Sequence, residues 1–226
     1  MAVKTSIRTS RTYGDPCGVA RSLDVVGERW ALLVVRELLL GPKRFSDLLA
    51  GLPDASPNVV SQRLRDLTEH GVVRRRDVGP PTRVRLYELT DWGRELEPVV
   101  LHLGRWGARA PQPATRRPLG IASLVLSLKT AFDPSRADDE SATYELRIDD
   151  EVFVLTLADG TLDVRRGTAH DPDAIIVTTR TALTVAIEGL GTLDDLIDAG
   201  HLDITGDRQA RSLAITSFLG PATNRQ

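Results

Sequence analysis

Residues Ser56–Thr90 read SPNVVSQRLRDLTEHGVVRRRDVGPPTRVRLYELT. Ser56 followed by Pro57 marks a helix start: a hydroxyl able to accept from a free backbone N–H, then a ring whose φ suits the first turn. Gly71 after His70 marks the stop. On a wheel of about 100° per residue, Val60, Leu64 and Leu67 share one side; Asn58, Gln62, Arg65 and Glu69 lie opposite, with Ser61 on the flank. Two strand-like runs, Val72–Asp77 and Arg83–Leu89, then flank the turn Gly79-Pro80-Pro81 and predict a hairpin. A capped amphipathic helix followed by a basic hairpin is the order of a winged helix-turn-helix.

The exposed side chains of that helix are amide, hydroxyl and guanidinium near its N-terminal end. Asn and Gln suit adenine and Arg suits guanine in the major groove, where a recognition helix presents its first turns. Ser56 and the free N–H groups behind it suit phosphate. The alternative is a solvated helix face, and the hairpin tilts the reading toward nucleic acid. Alternation along a strand places Arg74 with Arg76 and Arg83 with Arg85, as phosphate grips. Lys43 and Arg44, at the start of a short helix Arg44–Leu49, are further phosphate candidates. Arg63 sits at the edge of the apolar face, where it serves either a phosphate or an internal ion pair; both readings stay open.

Upstream, Asp15-Pro16 opens a helix running to about Val26, and a second runs from about Arg29 to Leu40, stopping at Gly41-Pro42. Downstream, Thr90 can cap a helix Asp91–Arg109. Ala110–Pro118, APQPATRRP, holds three prolines and is a linker, with the boundary near residue 115. Beyond it come a helix Ile121–Ala131, strands Tyr144–Ile148, Val152–Leu157, Leu162–Arg165 and Ala174–Thr178, helices Arg180–Glu188 and Leu193–Ala199, a strand His201–Thr205 and a helix Asp207–Leu219. Asp159-Gly160 reads as a hairpin turn. Both modules together form an α+β chain, with domains expected at 1–112 and 119–222.

The chain's net charge of −2 conceals an asymmetry. Residues 1–118 hold 20 Lys+Arg against 13 Asp+Glu, and residues 119–226 hold 9 against 18. A half at +7 attracts phosphates; a half at −9 repels them. Unrelated drift between two surfaces would also produce such a split.

Among 226 residues, 41% hydrophobic, no apolar run reaches the roughly 18 of a membrane span. The longest, around Trp30–Leu40, is interrupted by Arg36 and Glu37. The first residues lack the apolar stretch of a signal peptide, so a cytoplasmic protein without a membrane partner is expected. One cysteine excludes an internal disulfide. The histidines have no zinc spacing, and neither a nucleophilic-serine motif nor a phosphate-binding glycine loop is present. No catalytic residue, metal or cofactor is expected, and the acidic clusters 138–140 and 149–151 read as turns.

The basic half resembles the HxlR-type winged-helix regulators of bacteria. The likeness is carried by Cys17-Gly18-Val19-Ala20, Gly27-Glu28-Arg29-Trp30, Leu33 through Leu40, Arg44-Phe45-Ser46-Asp47-Leu48, Ser56-Pro57, Ser61-Gln62-Arg63-Leu64-Arg65-Asp66-Leu67, Gly71-Val72-Val73, Tyr87-Glu88-Leu89-Thr90 and Gly104-Arg105-Trp106. It spans about residues 13–109, and MarR-like regulators share the topology. The resemblance implies a homodimer on a two-fold operator in double-stranded DNA, with the first and last helices as the interface. It also directs attention to Cys17. That thiol, expected just inside the first helix, is biased toward thiolate by the helix N-terminus and is a redox-sensor candidate; the alternative is a small residue buried between protomers.

The acidic half resembles a sterol-carrier-protein-2-like domain, through Thr181-Ala182-Leu183, Leu190–Leu196 and Ile204-Thr205-Gly206-Asp207 ahead of the last helix. The resemblance implies an α/β sandwich with a five-stranded sheet and an apolar tunnel for a small apolar effector. Leu183, Ile187, Leu193, Leu196, Ile197, Leu213 and Phe218 are the lining candidates, unless they are simply core. Two functions follow as expectations: a transcriptional regulator, most simply a repressor, or a carrier of hydrophobic ligands whose basic half has another partner.

Overall fold

A computed structural model describes residues 12–79, 84–111, 119–137 and 140–219. The basic half runs α1 (Gly18–Val26), α2 (Ala31–Leu39), β1 (Lys43–Arg44), α3 (Phe45–Gly51), α4 (Pro57–Glu69), β2 (Val73–Val78), β3 (Val84–Leu89), α5 (Asp91–Arg94) and α6 (Leu96–Gly107). The strands form one antiparallel sheet in the order β1-β3-β2.

The helix that decides the fold forms as its residues dictate, while residues 80–83, with most of the expected Gly79-Pro80-Pro81 turn, lie outside the described residues. Ser56 Oγ accepts from Val59 N at 3.3 Å, Pro57 occupies the first turn, and Gly71 leaves the helix at φ +76°. Val60, Leu64 and Leu67 are fully buried, joined by Val34, Val35 and Leu38 of α2 and by Leu48, Val73 and Leu89. Thr90 caps α5, its Oγ1 accepting from Gly93 N at 3.0 Å. Gly93 is needed there, because a Cβ would overlap the Val72 carbonyl oxygen.

Three boundaries differ from expectation. Lys43 and Arg44 are not helical: they pair with Tyr87 and Leu86 of β3, so α3 begins at Phe45. The single helix expected over 91–109 breaks at Glu95. Pro98 supplies the reason, since it has no N–H for the Arg94 carbonyl. Helix α1 begins at Gly18, with Cys17 at its N-cap.

The acidic half runs α7 (Ile121–Ala131), a 3-10 turn (Pro134–Arg136), β4 (Ala142–Ile148), β5 (Glu151–Ala158), β6 (Thr161–Arg166), β7 (Ala174–Thr178), α8 (Arg180–Ile187), α9 (Leu193–Asp198), β8 (Leu202–Gly206) and α10 (Arg208–Ala214), which ends in a π-helical turn (Ile215–Leu219). The five strands order β6-β5-β4-β7-β8; β4 and β7 are parallel and the other pairs antiparallel. Asp159 and Gly160 both take positive φ, +50° and +64°, as a two-residue hairpin of the primed type requires. Alternate residues Tyr144, Leu146, Ile148, Phe153, Leu155 and Leu157 turn one face inward against Leu124 and Leu128 of α7.

The halves pack on each other through α7. Leu40, just past α2, is 3% exposed within the core of the acidic half, and Leu39 and Leu101 pack against the same core. Lys129 of α7 is ion-paired with Glu97 of α6 and lies 3.7 Å from Asp163 of β6. Arg105 Nε donates to the Thr130 carbonyl at 3.2 Å.

Candidate nucleic-acid interface

The outward face of α4 carries the expected side chains, and the first three of its turns hold them. Asn58 and Arg65 are exposed; Ser61 and Gln62 are half-buried. They do not stand apart from one another. Arg65 donates to Ser61 Oγ at 3.2 Å and to Gln62 Oε1 at 2.6 Å, while Gln62 Nε2 donates to Asp66 Oδ1 at 2.6 Å.

Arg63 belongs to the internal alternative. Its guanidinium lies 3.3 Å from Glu28 Oε2 and 3.3 Å from Asp66 Oδ2, with its side chain 15% exposed. It ties α4 to the α1–α2 turn. Lys43 is likewise withdrawn from the surface. Its Nζ is 2.7 Å from Oε2 of Glu37, whose other oxygen accepts from Arg36 at 2.8 Å. The cause is the pairing of Lys43 with Tyr87, which turns its side chain inward. Arg44, its strand neighbour, and Ser56 are exposed.

The hairpin presents two different basic faces. Opposite residues across an antiparallel pair share a face. Arg74 pairs with Glu88 and Arg76 with Leu86, whereas Arg75 pairs with Tyr87 and Asp77 with Arg85. Arg74 and Arg76 therefore project from one face and Arg75 and Arg85 from the other. Arg74 Nε and Arg76 Nε lie 2.8 Å and 3.3 Å from the two oxygens of Glu88, and Arg85 Nε lies 3.2 Å from Asp77. All three arginines stay more than half exposed, so each can still meet a phosphate. Arg75 lies over the Tyr87 ring, 5.7 Å from its centroid. Sequence reasoning passed over Arg75, because only the register of β2 against β3 puts it on the face of Arg85. Arg83 lies outside the described residues.

Cys17 is exposed. Asp15 Oδ1 accepts from its N–H at 2.8 Å, which sets the backbone at the helix entry. The backbone N–H groups of Val19 and Ala20 hold its thiol below the usual range.

On α1, Val19 and Leu23 are exposed, as are Trp92 of α5 and Val99, Leu103 and Trp106 of α6. A mostly apolar groove of about 380 Å³ runs between these helices, floored by Val25, Val26, Val72 and Leu96. These large apolar side chains thus stand exposed on three helices, α1, α5 and α6.

In the acidic half, the lining candidates fall mostly into the core. Leu183, Leu196, Leu213 and Phe218 are buried, Phe218 edge-on to Tyr144 with ring centroids 5.4 Å apart. Ile187 and Leu193 pack on that core, and Ile197 is exposed. An open cleft of about 870 Å³ lies between the α8–α9 connection and the π-helical turn, lined by Leu190, Leu193, Ile215 and Leu219 with Arg136 and Thr192 beside them. Of the seven candidates only Leu193 reaches it. The reason is periodicity: the apolar stripes on α8, α9 and α10 face the sheet, and the cleft forms from the connections. Among the described residues no group of three potential metal ligands converges, and no helix is long and apolar enough to cross a membrane.

The chain is similar to known proteins in two stretches that overlap over residues 111–114. Residues 25–114 match the HxlR-like helix-turn-helix model, and residues 111–222 match the alkyl sulfatase C-terminal model. The latter match stands where a sterol-carrier-protein-2-like identity was expected. The HTH-type transcriptional regulator YvaP of Bacillus subtilis is 41% identical over 95 residues, 42% of this chain and 87% of its own length. The HTH-type transcriptional regulator YdeP of the same organism is 34% identical over 109 residues, 47% and 83%. Among solved structures, the redox regulator HypR in its oxidized form is 32% identical, with a TM-score of 0.39 over 43% of this chain and 100% of that one.

Proposed function

Because the chain belongs to the HxlR-like helix-turn-helix family, we propose that it is a DNA-binding transcriptional regulator that acts as a homodimer on a two-fold operator, most simply as a repressor. One observation carries this reading: the Asn58–Ser61–Gln62–Arg65 face of α4 is polar and outward in the half of the chain that carries +7, next to a hairpin with exposed Arg74, Arg76 and Arg85. Arg65 and Asn58 reach base edges in the major groove. Ser56, Arg44 and the hairpin arginines, Arg83 included, grip phosphates. The apolar face of α1, α5 and α6 takes the second protomer, which sets the spacing of the two recognition helices.

The acidic half serves as the sensing or dimer-stabilising domain. We read it as sterol-carrier-protein-2-like and without catalytic function. Its mixed five-stranded sheet, helical cover and cleft of about 870 Å³ support a small apolar effector, held by Leu190, Leu193, Ile215 and Leu219. An effector would act by binding the DNA-competent and DNA-incompetent states with different affinity. Cys17, exposed and biased toward thiolate, is a second input, in which oxidation at the helix entry disturbs α1 and the dimer face.

The test is enrichment of genomic fragments by the purified full chain at moderate salt, with affinity followed as salt is raised. A regulator enriches discrete fragments and loses affinity steeply with salt. Leu103→Asp, in the apolar face, converts the dimer to a monomer in sedimentation and abolishes that enrichment. Failure of the wild-type chain to enrich any fragment, with an apolar ligand found by native mass spectrometry, would favour a hydrophobic-ligand carrier instead.

A further inference from the structure

The side chains on α4 form a relay rather than a row of independent readers. The Gln62 amide is occupied at both ends: Oε1 accepts from Arg65, and Nε2 donates to Asp66 Oδ1, each at 2.6 Å. An amide that donates at one end and accepts at the other has one orientation, and the carboxylate fixes which. Asp66 is itself anchored, because its Oδ2 lies 3.3 Å from the Arg63 guanidinium, which also reaches Glu28. Ser61 Oγ accepts a second bond from Arg65, which leaves three of the five guanidinium N–H groups for a ligand. The middle of the chain is covered, Arg63 at 15% and Asp66 at 31%, while Glu28 at one end and Arg65 at the other are exposed; the order runs Glu28, Arg63, Asp66, Gln62, Arg65.

Resting on the reading of α4 as a recognition helix, we propose that Asp66 is a positioning residue for sequence recognition: through Gln62 it aims the Arg65 guanidinium at one guanine of each half-site, and Gln62 itself reads no base. The physical gain is preorganisation. A free Arg side chain loses rotamer freedom when it docks, whereas one already held by Gln62 and Ser61 loses less. The correct base keeps that advantage and the wrong base does not. With one Oε1 lone pair taken by Arg65 and one Nε2–H by Asp66, half of the Gln62 amide's hydrogen-bonding capacity is committed within the helix before any base is met.

The experiment is selection from a randomised duplex pool with the full chain, comparing wild type with Arg65→Ala, Gln62→Ala, Asp66→Ala and Asp66→Asn, each checked for helicity and for its salt slope. Wild type enriches a motif. Arg65→Ala loses preference at one base pair per half-site, by the roughly 5- to 150-fold that one good bidentate contact supplies. Gln62→Ala and Asp66→Ala lose preference at that same base pair. Asp66→Asn, which can offer its one oxygen to Gln62 only by turning an NH2 toward Arg63, loses the anchor and falls between wild type and Asp66→Ala. The proposal is overturned if Gln62→Ala erases a different base pair, if Asp66→Ala keeps the wild-type motif, or if Asp66→Ala weakens all sequences equally with its preferences intact. Should wild type enrich no sequence, the DNA-binding reading itself fails and takes the proposal with it; a wild-type motif that Asp66→Ala preserves removes the proposal alone.

Discussion

Lys43 Nζ lies 2.7 Å from Oε2 of Glu37, a residue only 1% exposed. The contact joins the first strand of the wing to α2, and Gly51 closes it from the α3 side, where a Cβ would overlap the Glu37 carboxylate. Lys43, expected as a phosphate grip, is thereby committed to a contact inside the fold. Lys43→Ala is expected to cost about 3 kcal/mol, toward the low end for a broken buried pair because Arg36 still meets Glu37. Urea titration measures it. The salt slope of DNA binding should stay the same; a slope lowered by about one, with stability intact, would return Lys43 to the phosphate contacts.

Glu88 holds down the charge of one wing face. Its two oxygens face Arg74 and Arg76, and its side chain is 13% exposed while theirs are 60% and 53%. Exposed pairs of this kind contribute only about 0–1 kcal/mol to stability, so Glu88→Gln should leave the unfolding midpoint nearly unchanged. It should tighten binding to every DNA sequence and steepen its salt dependence, because two guanidinium groups lose an intramolecular competitor. An unchanged slope in filter-binding titrations would place that wing face away from the phosphates and leave the grip to Arg75 and Arg85.

These two cases locate the limit of reading from sequence. Helix α4 was legible to its ends because its signals are local: Ser56 and Pro57 at the start, Gly71 at the stop, and an apolar stripe at helical spacing. The strands and helices after Ile121 were legible for the same reason. Lys43 was not, since β1 is two residues long and exists only by pairing with β3, Lys43 with the distant Tyr87 and Arg44 with Leu86. Nor were the partners of Arg74 and Arg76 visible, because register decides which carboxylate each one meets; Arg63 differs, since Asp66 lies at i+3 on the same helix and only Glu28 depends on how the α1–α2 turn packs. The break at Glu95 could have been read from Pro98. The cleft could not, as it is made by connections whose placement follows from how α8 and α10 pack on the sheet.

Cys17 should behave as an activated thiol. The amides of Val19 and Ala20 lower its pKa, so the thiolate fraction rises at a lower pH than for an ordinary thiol, near 8.5. The rate of alkylation by iodoacetamide, followed against pH on the native chain, should show its midpoint below that of the same chain in urea, where the helix entry is gone. The native chain should accordingly react faster at pH 7. Coincident midpoints in the native and unfolded chain would remove the helix N-terminus as a cause and leave Cys17 an ordinary surface thiol.

Trp30, Trp92 and Trp106, the three tryptophans of the chain, all lie in the basic half, so tryptophan emission reports the unfolding of that half alone. Leu146, on β4, is fully buried in the core of the other half. If the proline-bearing linker merely tethered two modules, Leu146→Ala would leave the tryptophan transition where it is. The packing argues otherwise. Leu40 is buried in the acidic half's core, Leu39 touches both cores, and Lys129 joins Glu97 of α6 to Asp163 of β6. Removing the buried side chain of Leu146 should cost about 2–5 kcal/mol, and the tryptophan-detected urea midpoint should fall together with the far-ultraviolet one, as a single cooperative transition requires. Two separated transitions, with tryptophan emission indifferent to Leu146→Ala, would mean that the contacts at α7 are too weak to couple the halves. An effector in the acidic half could not then reach α6, and the sensing role assigned to that half would lose its physical route.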